Sequence, residues 1–161
     1  MILAETGIHG IVSITDNGTA NRDIYVESEQ EIGGLLESAG VDQVDYRTAI
    51  VNPLVRNEEI LYQLNGMSMY SSTNTEEMWN FVKNMGFENL ENRFQYAGST
   101  EVMDMLLGIR YLFCRNTRTL HTAYKKIAES QSFDLYENPR ALRSGYMVSD
   151  SVLDYAMEGT D

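Results

Sequence analysis

The punctuation of its helices is what most constrains how this chain can fold. Ser28-Glu29-Gln30-Glu31 has the spacing of a capping box, in which the serine hydroxyl caps a free backbone N–H and the glutamate reaches back. Ile32, Leu35, Leu36 and Ala39 then fall on one face and Gly40 supplies a left-handed stop. A helix of about three turns is predicted there. The same grammar recurs at Thr73-Asn74-Thr75-Glu76, followed by Met78, Val82 and Met85 at helical spacing, with Trp79 and Phe81 alongside and Gly86 closing the segment. Ser99-Thr100 opens a third helix, with Val102, Met103, Leu106 and Leu107 apolar and Gly108 at its end.

Between these helices lie runs that read as strands. Ile109-Arg110-Tyr111-Leu112-Phe113-Cys114 is the strongest, a nearly continuous apolar run suited to a buried position. Ile8–Ile14, Val44–Val51, Phe133–Tyr136 and Tyr146–Ser149 carry β-branched or aromatic residues bounded by Gly, Asn, Asp or Pro. Asn52-Pro53 should end the second of these, because proline removes a ladder donor and restricts the residue before it. Glu58–Leu64 reads as a short helix before Asn65-Gly66. Helices and strands thus alternate loosely, and the predicted fold is α/β or α+β, a layered sandwich with one mixed sheet of about four or five strands and three or more helices.

The length of 161 residues (18.3 kDa) fits one domain. No stretch approaches the roughly 18 uninterrupted apolar residues of a membrane span. The best candidate, Met103–Cys114, is broken by Asp104 and Arg110. The opening Met1-Ile2-Leu3-Ala4 lacks the basic and long apolar regions of a signal peptide. A net charge of -12 disfavours nucleic acid and direct insertion into an anionic membrane surface. The imbalance is uneven, since residues 1–46 hold nine acids against one base while Arg110, Arg115, Arg118, Lys125, Lys126, Arg140 and Arg143 come late. The single Cys114, within Tyr111-Leu112-Phe113-Cys114, reads as a small buried hydrophobe.

Catalytic motifs are absent. His9 and His121 are the only histidines, and without HExxH or CxxC no metal site is predicted. Neither G-x-G-x-x-G nor G-x-x-x-x-G-K-[ST] occurs, so the phosphate cradles of nucleotide enzymes are missing and no cofactor is implied. Gly33-Gly34 sits inside a helical pattern, where it would permit close packing. Ser71-Ser72 has no G-x-S-x-G elbow around it. The paired acids Glu58-Glu59 and Glu76-Glu77 invite a glycosidase reading, but the second pair occupies a first helical turn, where negative charge suits the helix dipole. Asn17-Gly18-Thr19 matches a glycosylation triplet and equally a turn.

What remains is polar loop. The segment from Asn65 to Asn74, with Ser68, Tyr70, Ser71, Ser72 and Asn74, is rich in hydroxyls and amides and leads into a helix N-terminus. It reads either as a ligand loop for an anion or sugar hydroxyls, or as a hydrogen-bonded turn that caps the helix. Glu91-Asn92-Arg93-Phe94-Gln95-Tyr96 could face a carbohydrate, since aromatic rings stack on sugar faces, or could belong to the core.

Taken in order, several blocks resemble a known family. Tyr46-Arg47, Gly66-Met67-Ser68-Met69-Tyr70-Ser71-Ser72, Met85-Gly86, Leu106-Leu107-Gly108-Ile109-Arg110-Tyr111 and the run from Tyr136-Glu137-Asn138-Pro139-Arg140 to Val148 are similar in sequence and spacing to the YfhO family of bacterial membrane proteins. Arg143 stands where that family usually has proline.

The resemblance implies a soluble extracytoplasmic domain, residues 1–161, excised from a polytopic membrane protein related to GT-C glycosyltransferases, with residues 1–7 at the boundary of the excised segment. Such enzymes move a sugar from a polyprenyl-phosphate carrier outside the cytoplasmic membrane, and the family is associated with teichoic or lipoteichoic acid glycosylation in Gram-positive cells. Their catalytic acid lies in an early loop between spanning helices, so this domain by itself is not expected to catalyse. Its implied partners are the transmembrane portion of the parent protein and the glycopolymer acceptor. Tyr70, Ser68, Ser71, Ser72, Asn74 and Asn138 would offer hydrogen bonds, and Arg47, Arg110 or Arg140 phosphate contacts. Arg110 has an internal alternative, pairing with Asp104. The competing reading is a structural module that braces the membrane protein without touching sugar.

Overall fold

A computed structural model describes residues 2–16, 21–90, 93–115 and 124–150. In chain order its elements are α1 (Ile2–Asp16), α2 (Arg22–Ala39), β1 (Arg47–Val51), α3 (Glu58–Leu61), β2 (Met69–Tyr70), α4 (Glu76–Asn84), β3 (Glu88–Leu90), β4 (Arg93–Gln95), α5 (Glu101–Leu106), β5 (Ile109–Arg115), β6 (Lys125–Glu129) and β7 (Phe133–Glu137). The fold is α+β. Its main sheet is mixed, with strand order β1-β5-β7-β6, and a smaller sheet has the order β2-β4-β3.

β1 and β5 run parallel, whereas β5–β7 and β6–β7 are antiparallel. A parallel pair needs a long crossover. Here that crossover holds α3, α4, α5 and the whole small sheet.

The apolar run of β5 follows from its place in the middle of a sheet covered on both faces. Tyr111 and Phe113 pack with Ile50, Phe133, Leu135 and the α2 residues Ile32 and Leu35. Leu112 and Cys114 point the other way, joining Ala49 and Tyr136 under Met67, Tyr96 and Leu107. A third cluster, Val82, Phe87 and Phe94, fixes α4 and the small sheet to α5 through Met103 and Leu107. Cys114 is fully buried.

Several expectations are corrected. Ile8–Ile14 is helical, part of α1, since β propensity is a context-dependent preference that its β-branched residues do not enforce; Thr15 Oγ1 bonds back to the carbonyls of Ile11 and Val12. α2 begins six residues before the capping box, with Asn21 Oδ1 accepting from Asp23 N–H, and Ser28 is buried inside the helix. Its left-handed stop at Gly40 (φ 60°) is as expected. α4 is capped by Thr75, whose hydroxyl accepts from Met78 N–H, two residues after the expected start. Tyr146–Ser149 forms no strand; Tyr146 instead donates its hydroxyl to Leu106 O at 3.1 Å. Gly33 and Gly34 face open space, so they serve no close packing. The third helix is capped by Thr100 as expected, and β1 stops before Asn52-Pro53.

Candidate functional site

The carboxyl ends of β1 and β5 lie at the same edge of the main sheet, Val51 opposite Cys114. Ligands of open α/β sheets gather outside such ends. A cleft of about 500 Å³ opens there, between the loop after β1 and the small sheet; its wall includes Arg56, Asn57, Ser68, Tyr70 and Arg93, and its floor Glu58 and Glu59.

The floor is held by the two carboxylates whose pairing in the sequence invites a glycosidase reading. Glu58 and Glu59 are each 1 % exposed. Glu58 accepts from Leu54 N–H at 2.7 Å and from the Tyr62 hydroxyl at 3.0 Å, and it pairs with Arg115 from the end of β5. Arg115 in turn lies 4.4 Å from the Phe133 ring centroid and donates to Ser28 Oγ, which explains a serine inside α2. Glu59 accepts from Ile50 N–H (3.0 Å), Ser68 N–H (2.7 Å) and the Ser68 hydroxyl (3.0 Å). Burial pushes the Glu59 carboxyl above the usual range, against the opposing pull of those amide and hydroxyl donors.

The wall is tied to this floor. Ser68 Oγ accepts from Tyr96 N–H at 3.1 Å, so Glu59, Ser68 and the strand end at Tyr96 form one chain of bonds. Asn57, in the left-handed region at φ 60°, donates from Nδ2 to Tyr70 O and accepts from Tyr70 N–H. Gly66 is required for the same closure: a Cβ there would lie 2.8 Å from Glu59 Cδ and closer still to its Cβ and Oε2. The guanidinium of Arg56 stacks 4.9 Å from the Tyr70 ring centroid.

Of the residues singled out in the sequence, Ser68 and Tyr70 line this cleft. Ser71 hydrogen-bonds Thr73 in a turn beside it, Ser72 is exposed, and Asn74 is half-buried. Arg47 and Arg110 belong to the opposite edge of the sheet, where Arg47 starts β1 and pairs with Ile109. Four strand steps of roughly 3.3 Å separate the two ends of β1. Arg47 donates to Leu107 O at 3.0 Å. Arg110 binds Glu137, not Asp104, through Nε (2.9 Å) and Nη2 (2.6 Å), and stacks on Tyr46. Burial alone would depress the Arg110 guanidinium, but the Glu137 bonds more than offset it and raise it above its ordinary value. Asn138 is buried and turns the chain, donating from Nδ2 to Ile109 O and accepting from Arg140 N–H. Arg140 is exposed, 4.0 Å from Glu101.

Asp104 has its own partners: the hydroxyls of Tyr96 (2.6 Å), Tyr124 (2.5 Å) and Ser99 (2.5 Å). Burial, then the Asp104 carboxylate, pushes both tyrosine hydroxyls far up. Two of the family-like blocks therefore meet structurally at the far edge: Gly108 sits at φ 69° with Leu142 O where a Cβ would go, and Leu142 N–H bonds Met105 O. Arg143 pairs with Asp45 at 3.4 Å.

Sequence reasoning missed Arg56, Asn57 and Arg93 as parts of the site. Arg93 lies in the segment read as carbohydrate-facing, and Arg56-Asn57 follow a proline that ends a strand at its carboxyl end, which were the available signals. Asn17–Thr19, Glu91, Asn92, Arg118 and His121 lie outside the described residues.

Over residues 1–160 the chain matches the family model for bacterial membrane protein YfhO. No curated protein and no solved structure matches it. Among the described residues no helix is long and apolar enough to cross a membrane. The chain belongs to the YfhO family.

Proposed function

We propose that this YfhO-family chain is an extracytoplasmic domain of a membrane glycosyltransferase, and that it holds the acceptor, a teichoic or lipoteichoic acid, in the cleft beside Tyr70. The observation that carries this reading is the cleft itself. It is of a size for a short glycopolymer segment and presents an aromatic ring, a hydroxyl and amides at the carboxyl end of the sheet. Sugar faces stack on rings such as Tyr70, and Ser68 and Gln95 supply polar atoms at the same wall. The domain contributes orientation rather than chemistry: holding an acceptor near a reacting centre converts a bimolecular encounter into a local one. The chemistry would belong to the membrane-embedded part of the parent protein.

A second reading, a module that braces the transmembrane portion, draws on α1, where Ile8, Ile11 and Val12 are exposed. The two readings separate in cells that carry the full-length protein with Tyr70→Ala. Acceptor binding predicts that sugar incorporation into teichoic acid falls while the amount of protein in the membrane is unchanged. Undiminished incorporation at normal protein level contradicts it and leaves the bracing role.

A further inference from the structure

The wall of the cleft carries two arginines that, among the described residues, form no ion pair. Tyr70 and Arg93 stand directly opposite each other in the β2–β4 ladder. Residues so paired project to one face of a sheet with their Cβ atoms about 5 Å apart. Arg56 reaches the same ring from the loop after β1, 4.9 Å from its centroid. Arg56 and Arg93 are therefore both neighbours of Tyr70, one by stacking and one by cross-strand pairing, and both line the cleft.

Among the described residues Arg110, Arg115, Lys126, Arg140 and Arg143 each face an acid, whereas Arg56 and Arg93, like Arg22, Arg47, Lys83 and Lys125, form no ion pair. What distinguishes Arg56 and Arg93 is that they stand together at one concave surface beside a single aromatic ring, in a chain of net charge -12. The acids beneath them are engaged: Glu58 by Arg115, Tyr62 and Leu54, Glu59 by Ile50 and Ser68. The basic groups available to an anion in this cleft are thus Arg56 and Arg93.

We infer that the cleft seats a phosphodiester between Arg56 and Arg93, with the adjoining sugar or polyol lying on Tyr70. Guanidinium forks match the oxygens of a phosphodiester in a plane, and a stacked arginine keeps its fork pointed outward. This rests on the acceptor-binding reading for its source of phosphate, since the same chemistry is also offered by a lipid headgroup.

The test titrates the 161-residue chain with short poly(glycerol phosphate), with vesicles of phosphatidylglycerol, and with an uncharged oligosaccharide, following backbone amide shifts at low and physiological salt. Arg56→Gln and Arg93→Gln are compared with Arg56→Lys, and unchanged amide spectra away from the cleft establish that the variants are folded. The inference expects saturable shifts around residues 56, 70 and 93 with poly(glycerol phosphate), weakened by salt and about tenfold by either glutamine substitution, with partial retention in Arg56→Lys. Binding to vesicles alone, with the same arginine dependence, keeps the phosphodiester seat and removes the polymer as its source. Oligosaccharide binding that both glutamine variants retain, with no phosphate response, upholds the acceptor reading and overturns the phosphodiester seat. No response to any probe overturns the inference.

Discussion

Asn57 grips the backbone of Tyr70 on both sides, donating from Nδ2 to its carbonyl at 3.0 Å and accepting from its N–H at 2.7 Å. One side chain thereby does for β2 what a neighbouring strand would do, and joins the loop after β1 to the small sheet. That bridge sets the width of the cleft, because the two walls otherwise belong to different parts of the crossover.

Asn57→Ala should lose both bonds and place a Cβ-bearing residue with no polar side chain in the left-handed region, at about 2 kcal/mol. Asn57→Gly keeps the backbone conformation and loses only the bonds, so it should cost less. Urea unfolding of the two variants checks the order, and an alanine variant as stable as the glycine variant contradicts it.

Gly66→Ala forces a methyl group against the buried side chain of Glu59, whose oxygens already serve Ile50 and Ser68. A loss of about 1–3 kcal/mol is expected. An unchanged melting temperature in calorimetry would show that the Glu59 side chain can move aside.

The Glu58–Arg115 pair joins α3 to the end of β5 with the Glu58 side chain wholly buried and that of Arg115 12 % exposed. Arg115→Met should cost about 3–5 kcal/mol, because it strands a buried carboxylate. Adding Glu58→Gln to that variant removes the stranded charge, so the double variant should be more stable than Arg115→Met alone in guanidinium unfolding. A double variant weaker than the single one argues that Glu58 needs no partner.

Two glutamates give opposite pH signatures. Burial raises Glu59 against its amide donors, so its proton is held more tightly in the folded chain than in the unfolded one. Its contribution is present below the ordinary glutamate value of about 4.3 and is lost as pH rises through the folded value. For Glu31, burial pulls upward, but the Ser130 hydroxyl and the Ser132 amide and hydroxyl outweigh it and the group is lowered. Its contribution is present above about 4.3 and is lost as pH falls through the folded value. Unfolding free energies measured across pH should show the stability of Glu59→Gln relative to the parent rising with pH, and that of Glu31→Gln falling. Flat differences would contradict both assignments.

The parts of this fold legible in the sequence are those whose signals are local. α5 and β5 are readable because Thr100, Gly108 and an apolar run sit side by side in the chain, and burial on both faces of β5 leaves no polar alternation to misread. β6, Lys-Lys-Ile-Ala-Glu, is illegible because an edge strand protects itself with lysines and so looks like loop. The first turns of α2 are equally hidden, since most residues from Arg22 to Glu27 are exposed and carry no apolar period. In the cleft, Ser68 and Tyr70 are visible as polar loop residues. Arg93 becomes part of the site only through its cross-strand pairing with Tyr70, and Asn57 only through a left-handed backbone that no spacing announces. Glu58 and Glu59 invite a glycosidase reading in the sequence, and only the bond to Glu58 from Arg115, 57 residues away, shows one of them to be a buried ion-pair partner.

The most direct test of the central claim is a map of amide chemical shifts on adding a defined glycosylated teichoic acid fragment to this chain. The account predicts saturable changes in residues 53–59, 68–70 and 93–95, the segments that line the cleft, and their loss in Tyr70→Ala. Changes centred instead on Arg47, Arg110, Asn138 and Arg140, or none at millimolar fragment, would contradict it.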